Sequence, residues 1–258
     1  MKVTILTPSY NQAQFIEQNI LSVYDQHDVD VEHIVIDGGS TDGTVEILKK
    51  YPHLKWLSEK DAGQADALQK GLSMATGDII GWINSDDYLE KDVLGIVSGI
   101  FESSLIDWVI GNLTFTFEKG KVLPDRSRII TRRSLLSNPD FLRQQGAFFR
   151  RDALVRCGGF DKKYHLCMDL DLWFRMLRLS EPLMFDQNLA YFRIHEAQKT
   201  SGKQNEAQLK EMLDIFSKNN AGNYYKMKIR IRKILFGIRL WLVKTIKKSF
   251  TKKISEET

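Results

Sequence analysis

Asp78-Ile79-Ile80-Gly81-Trp82-Ile83-Asn84-Ser85-Asp86-Asp87 decides how the chain is read. Four apolar side chains within five residues make a buried strand, and the run breaks abruptly into an amide, a hydroxyl and two acids. Working back towards the N-terminus, the same grammar recurs. Lys2–Thr7 is a β-rich run stopped by Pro8. Glu32–Ile36 is a second such run, ended by the turn Asp37-Gly38-Gly39-Ser40, and Leu54–Leu57 is a third. Between them lie helical patterns. Phe15, Ile16, Ile20, Val23 and Tyr24 fall at helical spacing, Val45, Ile47 and Leu48 follow a cap at Thr41 or Asp42, and Gly63–Ala75 supplies a third helix. Asp92–Phe101 is a fourth. Units of this kind predict an α/β fold, a mainly parallel Rossmann-like sheet flanked by helices.

In such sheets ligands bind beyond the carboxyl ends of the strands. Three polar clusters are predicted at that rim: Pro8–Asn11, Asp37–Asp42 and Asn84–Asp87. Adjacent carboxylates at a strand end suit Mg²⁺ or Mn²⁺, which take oxygen ligands and bind through one or two carboxylates plus substrate phosphates. Asp37 is placed to accept hydrogen bonds from a base or ribose, and Asp42 reads as a helix cap. Beyond residue 105 the alternation fades. A hairpin is expected from Trp108–Glu118 and Lys121–Leu123, an amphipathic helix over Asp169–Leu179, and one or two strands in Leu183–His195. Asp169, which opens that helix four residues before Trp173, is a candidate general base for a hydroxyl nucleophile. His195 is a candidate metal or phosphate contact.

Charge divides the chain unevenly. Residues 215–258 hold 12 Lys/Arg against Glu256 and Glu257, a local balance of +10, which leaves 1–214 at −6. Within 224–253, Ile231, Ile234, Leu235, Ile238, Leu242, Ile246 and Phe250 keep helical spacing among Lys and Arg, with Phe236 and Trp241 as interfacial aromatics. That is a basic amphipathic helix, expected on an anionic membrane surface. Nucleic acid is not the expected partner, because the apolar stripe would stay unburied and the body is acidic. The N-terminus has too short an apolar stretch for a signal sequence, and no run reaches the ~18 apolar residues of a spanning helix. Cys157 and Cys167 show no metal-ligand spacing or disulfide framework. A cytoplasmic protein on the cytosolic face of a membrane is the expectation.

In this order the blocks resemble the family 2 inverting glycosyltransferases of GT-A fold. Thr7-Pro8-Ser9-Tyr10-Asn11, Asp37–Thr44 and Asn84–Asp87 are similar to three N-terminal signatures, and Asp61–Ala67 with Lys70-Gly71 to a fourth. Gly158-Gly159-Phe160-Asp161 and Asp169–Arg175 are similar to the C-terminal part, so the likeness spans about residues 2–200. It implies that Pro8, Tyr10, Asp37 and Asp61 line a nucleoside pocket, with uracil as the expected base and guanine and thymine as alternatives, and that Asp86 lies near the ribose or sugar. It implies Asp87 as ligand of Mg²⁺ or Mn²⁺, His195 at the diphosphate or metal, and Asp169 as general base. Gln144, Gln145 and Trp173 fall on the acceptor side. Met168 stands where the family often has Glu, and Gly38 where a second acid is frequent.

The expected organisation is a glycosyltransferase domain over 1–202, with a nucleotide-binding part to about 104 and an acceptor-side part after it, and a helical basic tail over 203–258. The expected reaction moves a sugar from a nucleotide-diphosphate sugar to a hydroxyl acceptor, with a lipid-linked saccharide suggested by the tail and cell-surface polysaccharide or glycolipid assembly as the setting. The alternatives are a metal-dependent nucleotidyltransferase and a non-catalytic nucleotide-sugar-binding protein. Against the first, no G-x-x-x-x-G-K-[ST] phosphate loop is present; against the second, Asp87 and Asp169 are intact.

Overall fold

The computed structural model describes residues 1–117, 120–139, 144–195, 198 and 205–231. Two compact units result, Met1–Gln198 and Lys199–Thr258. The first is built on a nine-stranded sheet. Its strands are β1 (Val3–Ser9), β2 (Val31–Asp37), β3 (Lys55–Ser58), β4 (Ile79–Trp82), β5 (Tyr88–Leu89), β6 (Trp108–Phe117), β7 (Val122–Asp125), β8 (Ala147–Arg150) and β9 (Leu183–Ile194). The helices are α1 (Ile16–Tyr24), α2 (Thr44–Leu48), α3 (Gln64–Met74), α4 (Val93–Ser103), α5 (Arg132–Ser137), α6 (Arg151–Arg156) and α7 (Met168–Met176). Strand order is β3-β2-β1-β4-β8-β6-β9-β5, with β7 added to β6.

The sequence reading of the first half carries over to within a few residues. β1 and β4 are buried at every position and β2 at six of seven, so continuous apolar runs mark strands covered on both faces. Val3 and Ile5 meet Val93, Leu94, Val97 and Phe101 of α4 in one core cluster. Val35 joins Ile16 and Ile20 of α1 and Leu48 of α2 in another. The sheet as a whole is mixed, and its parallel part is centred on the four strands of the first half. β1, β2, β3 and β4 are parallel neighbours, but β8 enters antiparallel between β4 and β6, and β5 and β7 are antiparallel as well. The helix-crossover pattern that signals parallel pairing ends with α4, and hairpin-like pairing replaces it. The stretch expected as one or two strands is one long strand, Leu183–Ile194, parallel to β6 with register shifts at Gly111, Asn112 and Leu113. Those bulges break the alternation that a sequence scan would follow.

Trp173 belongs to this core and not to the acceptor side. It is 1% exposed and stacks on Trp108 at 5.4 Å and Phe149 at 5.7 Å between ring centroids. An aromatic four residues after a helix acid shares its face only approximately, and here the apolar side of α7 claimed it. The second unit contains a helix at Asn205–Lys218 and helical residues 223–231. Tyr224, Met227 and Ile231 are exposed there and Ile229 is buried. The remainder of the basic amphipathic stretch, from 232 on, lies outside the described residues. No described helix is long and apolar enough to cross a membrane.

At the sheet edge opposite the rim, Glu32 of β2 is a buried carboxylate with a full set of donors. Its oxygens accept from Thr4 Oγ1 at 2.7 Å, Thr76 N and Thr76 Oγ1 at 2.8 Å each, and Lys55 Nζ at 2.5 Å. Burial raises its pKa, but the hydrogen bonds from Lys55, Thr76 and Thr4 outweigh it and hold the group at about 2, below its ordinary 4.5. A carboxylate with a depressed folded-state pKa adds stability above its unfolded pKa, and loses it as pH falls towards the folded value. Replacing Glu32 by Gln should therefore lower the unfolding free energy by about 2 kcal/mol at pH 7. In urea denaturation series the gap to wild type should close between pH 4.5 and about 2; parallel pH profiles for the two proteins would dismiss Glu32 as the acid-sensitive anchor.

Candidate active site

The loops after β1, β2, β3 and β4 converge at one rim. Asn11, after β1, has a positive φ of 52° and is tied to the loop after β2, accepting from Thr41 N at 2.9 Å and donating its N–H to Ser40 Oγ at 2.7 Å. Tyr10 beside it is 63% exposed, while Pro8 is buried as the penultimate residue of β1. Asp42 accepts from Thr44 N at 3.0 Å and Ala13 N at 2.9 Å, so it satisfies the start of α2, although the residue flanking that helix is Gly43. Hydrogen bonds from Thr44 and Ala13 lower its pKa against a burial effect that raises it.

Asp37 is fully buried. It accepts from Gly39 N at 3.1 Å, Ser40 N at 2.9 Å and Ser58 Oγ at 2.7 Å, and also from Ser40 Oγ. Its carboxylate thus shapes the turn. Asp61 stands directly above the turn: a Cβ on Gly38 would come within 2.9 Å of Asp61 Oδ2. The absent side chain at 38 is what lets the half-buried Asp61 carboxylate approach, held there by Gly63 N at 2.8 Å from Oδ1.

The acids after β4 have opposite environments. Asp87 is 1% exposed. Its Oδ1 accepts from Arg193 N at 2.9 Å, and its Oδ2 from Gln145 Nε2 at 2.7 Å and Asn84 Nδ2 at 3.3 Å. Burial, and then the neighbouring Asp86 charge, push its pKa well up against these hydrogen bonds. Asp86 is turned the other way, with a side chain 18% exposed and Oδ2 3.0 Å from His195 Nε2. The metal-ligand role read for Asp87 therefore does not match its surroundings, because protein donors already occupy both its oxygens. Asp86 and His195 are the pair the fold brings together. Among the described residues no group of three His, Cys, Asp or Glu side chains could hold a cation by itself. A carboxylate and an imidazole side by side still fit an ion that completes its shell with substrate phosphates and water.

Three supporting residues were missed in the sequence. Arg193 lies over Phe15 (4.8 Å) and Tyr88 (5.5 Å), and its Nε donates to Asp86 O at 2.9 Å. Phe15 also packs on His195, ring centroids 4.6 Å apart. Asn19, fully buried, donates to Asn84 O and Asp87 O at 2.9 Å each, and so clamps both ends of the acidic turn. The signals existed. Arg193 lies near the end of β9 with His195 directly after the strand, and Asn19 is an amide in the apolar stripe Ile16, Ile20, Val23.

On the other side of the rim, Asp169 is the half-buried second residue of α7, with Oδ1 2.8 Å from Leu170 N. Asp171 is buried and paired with Arg175 Nε at 2.7 Å, and Arg175 Nη1 donates to Cys157 O and Gly159 O, so this acid is structural. Gln144 and Gln145 form a 3₁₀ turn just before β8, both buried. Both polar side-chain atoms of Gln144, and Oε1 of Gln145, have no hydrogen-bond partner among the described residues.

A family model described as glycosyl transferase family 2 matches residues 4–160. The chain is 30% identical over 223 residues to the chondroitin synthase of Pasteurella multocida, covering 81% of this chain and 22% of that protein. It spans 66%, 22% and 38% of the length of three curated relatives that it matches. Among solved structures, Staphylococcus aureus TarS 1-349 in complex with UDP-GlcNAc is similar with a TM-score of 0.69 at 20% identity, over 83% of this chain and 65% of that one. The mannosyltransferase PcManGT of Pyrobaculum calidifontis, in complex with GDP-Man and Mn²⁺, is similar with a TM-score of 0.61 at 20% identity, over 90% and 69%. The structural likenesses establish the fold as GT-A, and with the family model matching well over half its length the chain belongs to glycosyl transferase family 2.

Proposed function

We propose that this protein transfers a sugar from a UDP-linked donor to a hydroxyl acceptor with inversion, in polysaccharide or glycolipid assembly. The observation that carries the reading is the Asp86–His195 pair, set 3.0 Å apart at the rim where the Asp37 and Asp61 loops also arrive. Half-buried Asp61 and exposed Tyr10 are the groups suited to a base and ribose, with Asp37 and Pro8 buried behind them as framework. Asp86 and His195 would hold a divalent cation, and an imidazole in the donor set favours Mn²⁺ over Mg²⁺. When bound, the cation supplies positive charge against the diphosphate of the donor. Arg193 and Phe15 orient the pair. Across the cleft Asp169 takes the proton from the acceptor hydroxyl as its oxygen attacks the anomeric carbon, and the carbon–oxygen bond to the diphosphate breaks on the opposite face. The unpartnered amide of Gln144 is suited to sugar hydroxyls, which supply both donors and acceptors. The likeness to a chondroitin synthase supports polysaccharide assembly. Exposed Tyr224, Met227 and Ile231, amid Lys226, Lys228 and Arg230, support a peripheral hold on the cytosolic face of a membrane, beside a lipid-linked acceptor.

Calorimetry with UDP, GDP and dTDP, each with Mn²⁺ and with EDTA, tests the donor site. One nucleotide, UDP on this proposal, should bind in the presence of metal alone; no binding of any by folded protein would refute the reading. The two acids should then separate. Asp86→Ala or His195→Ala should weaken Mn²⁺-dependent UDP binding by about a hundredfold. For Asp86→Ala, urea denaturation should show stability within about 0.5 kcal/mol of wild type. Asp87→Ala should cost about 3 kcal/mol of stability, because it leaves Gln145 and the Arg193 N–H unpaired in the interior. The reverse pattern would return the metal to Asp87. Asp169→Asn should cut turnover by about 10²-fold or more with UDP affinity unchanged. Wild-type turnover in that variant would remove Asp169 from the chemistry.

A further inference from the structure

Outside the rim, the most unusual charge distribution lies between β7 and α5. Residues 1–120 carry a net charge of −11, yet residues 121–133 hold Lys121, Arg126, Arg128, Arg132 and Arg133 against one acid, Asp125. All five cations are exposed. Arg126, Arg128 and Arg133 make no ion pair or hydrogen bond among the described residues. Like charges gathered on one segment repel and destabilise the folded chain. Here nothing within the described residues offsets that repulsion at three of the five.

The segment is anchored where an acceptor would arrive. At its midpoint Ser127 N donates to Asn112 Oδ1 at 2.7 Å, and Ser127 Oγ donates to Gly111 O. That carbonyl is also the one Gly146 passes: a Cβ there would lie 2.7 Å from Gly111 O, so the turn carrying Gln144 and Gln145 sits against the same point. At its end Thr131 caps α5, accepting from Ser134 N at 3.1 Å, and α5 packs on α7, the helix of Asp169. Three apolar side chains accompany the cations: Val122 and Leu123 on β7 and Ile129 after it, 57%, 52% and 75% exposed. β7 pairs with β6, and its other edge meets no strand among the described residues.

We propose that residues 121–133 are a docking surface for the acceptor, and that the acceptor is an anionic glycan whose carboxylates or phosphates are gripped by Arg126, Arg128 and Arg133. This rests on the glycosyltransferase reading and names its acceptor class. Guanidinium groups present paired N–H donors that match carboxylate and phosphate oxygens. The apolar faces of sugar rings pack on Val122, Leu123 and Ile129. A nucleic acid fits less well, because unit 1 carries a net −6 and would repel a polymer of that charge density. A bilayer fits less well because the apolar groups are three side chains along an edge strand and loop, not a helix face.

Oligogalacturonate, titrated into the full-length protein, is the probe, with dextran oligomers and phosphatidylserine vesicles as the other arms. Wild type should bind oligogalacturonate with an affinity that falls as salt is raised, and should not bind dextran. The variant Arg126→Gln/Arg128→Gln/Arg133→Gln should lose about tenfold in that affinity, with Mn²⁺-dependent UDP binding unchanged and a melting temperature no lower than that of wild type, since the mutual repulsion is relieved. A charge-matched variant in the second unit, Lys226→Gln/Lys228→Gln/Arg230→Gln, should stay within about twofold of wild type. Equal affinity in wild type and the arginine variant overturns the proposal, as do equal losses in both variants or a loss confined to vesicles. Failure of wild type to bind UDP would strike the glycosyltransferase reading and leave the oligogalacturonate comparison to judge the surface alone.

Discussion

A single buried carboxylate holds the rim together. Asp87 has no contact with solvent to speak of, and each of its oxygens is a junction between segments far apart in sequence: Gln145 before β8, the backbone of Arg193 on β9, and Asn84 within its own turn. Burying a carboxylate costs several kcal/mol unless its lone pairs are met, so the three donors are a requirement of the fold and not an addition to it. Because Asp87 fixes the backbone of residue 193, it also fixes the strand that delivers His195. Because Asn19 grips the carbonyls of Asn84 and Asp87 from below, Asp86 is left projecting towards that histidine. The geometry proposed to receive a metal is therefore a consequence of interior hydrogen bonding.

The mixed sheet serves the same end. Four parallel strands deliver four loops to one rim, which is how α/β folds assemble nucleotide sites. Parallel strands alone cannot bring in a second wall, since each crossover returns the chain to the opposite edge. Inserting β8 antiparallel beside β4 turns Gln145 onto the acidic turn, and the long parallel pairing of β6 with β9 carries Arg193 and His195 to it. α7, packed through Trp173 on Trp108 and Phe149, then fixes where Asp169 stands.

How much of this could be read from residues alone follows from the kind of signal involved. Runs such as Val3–Ser9 and Ile79–Trp82 announce themselves because burial on both faces excludes polar residues along the whole strand. The rim clusters were legible because polar residues must end such runs. Trp173 was misplaced because helical spacing gives a face but not what packs on it. The roles of Asp86 and Asp87 were not separable in sequence, since two identical neighbouring side chains differ only in what surrounds them. That environment comes from residues 58 and 106 positions away, Gln145 and Arg193. Arg126, Arg128 and Arg133 were visible one by one, but their lack of partners among the described residues is a property of three-dimensional neighbours.

Gly38 shows how a departure from a motif can preserve its chemistry. A second acid after Asp37 is frequent in the resembling family, and its absence looks like a lost carboxylate at the base pocket. In the folded chain, the space a side chain at 38 would enter is taken by Asp61, which arrives from the loop after β3 and is held by the N–H of Gly63. The negative charge beside the Asp37 turn is thus supplied by another strand end, and the two positions compete for one volume. Restoring an acid at 38 would place its Cβ against Asp61 Oδ2 and set two carboxylates against each other, so position 38 in this chain is constrained by Asp61 and not by what the motif commonly carries.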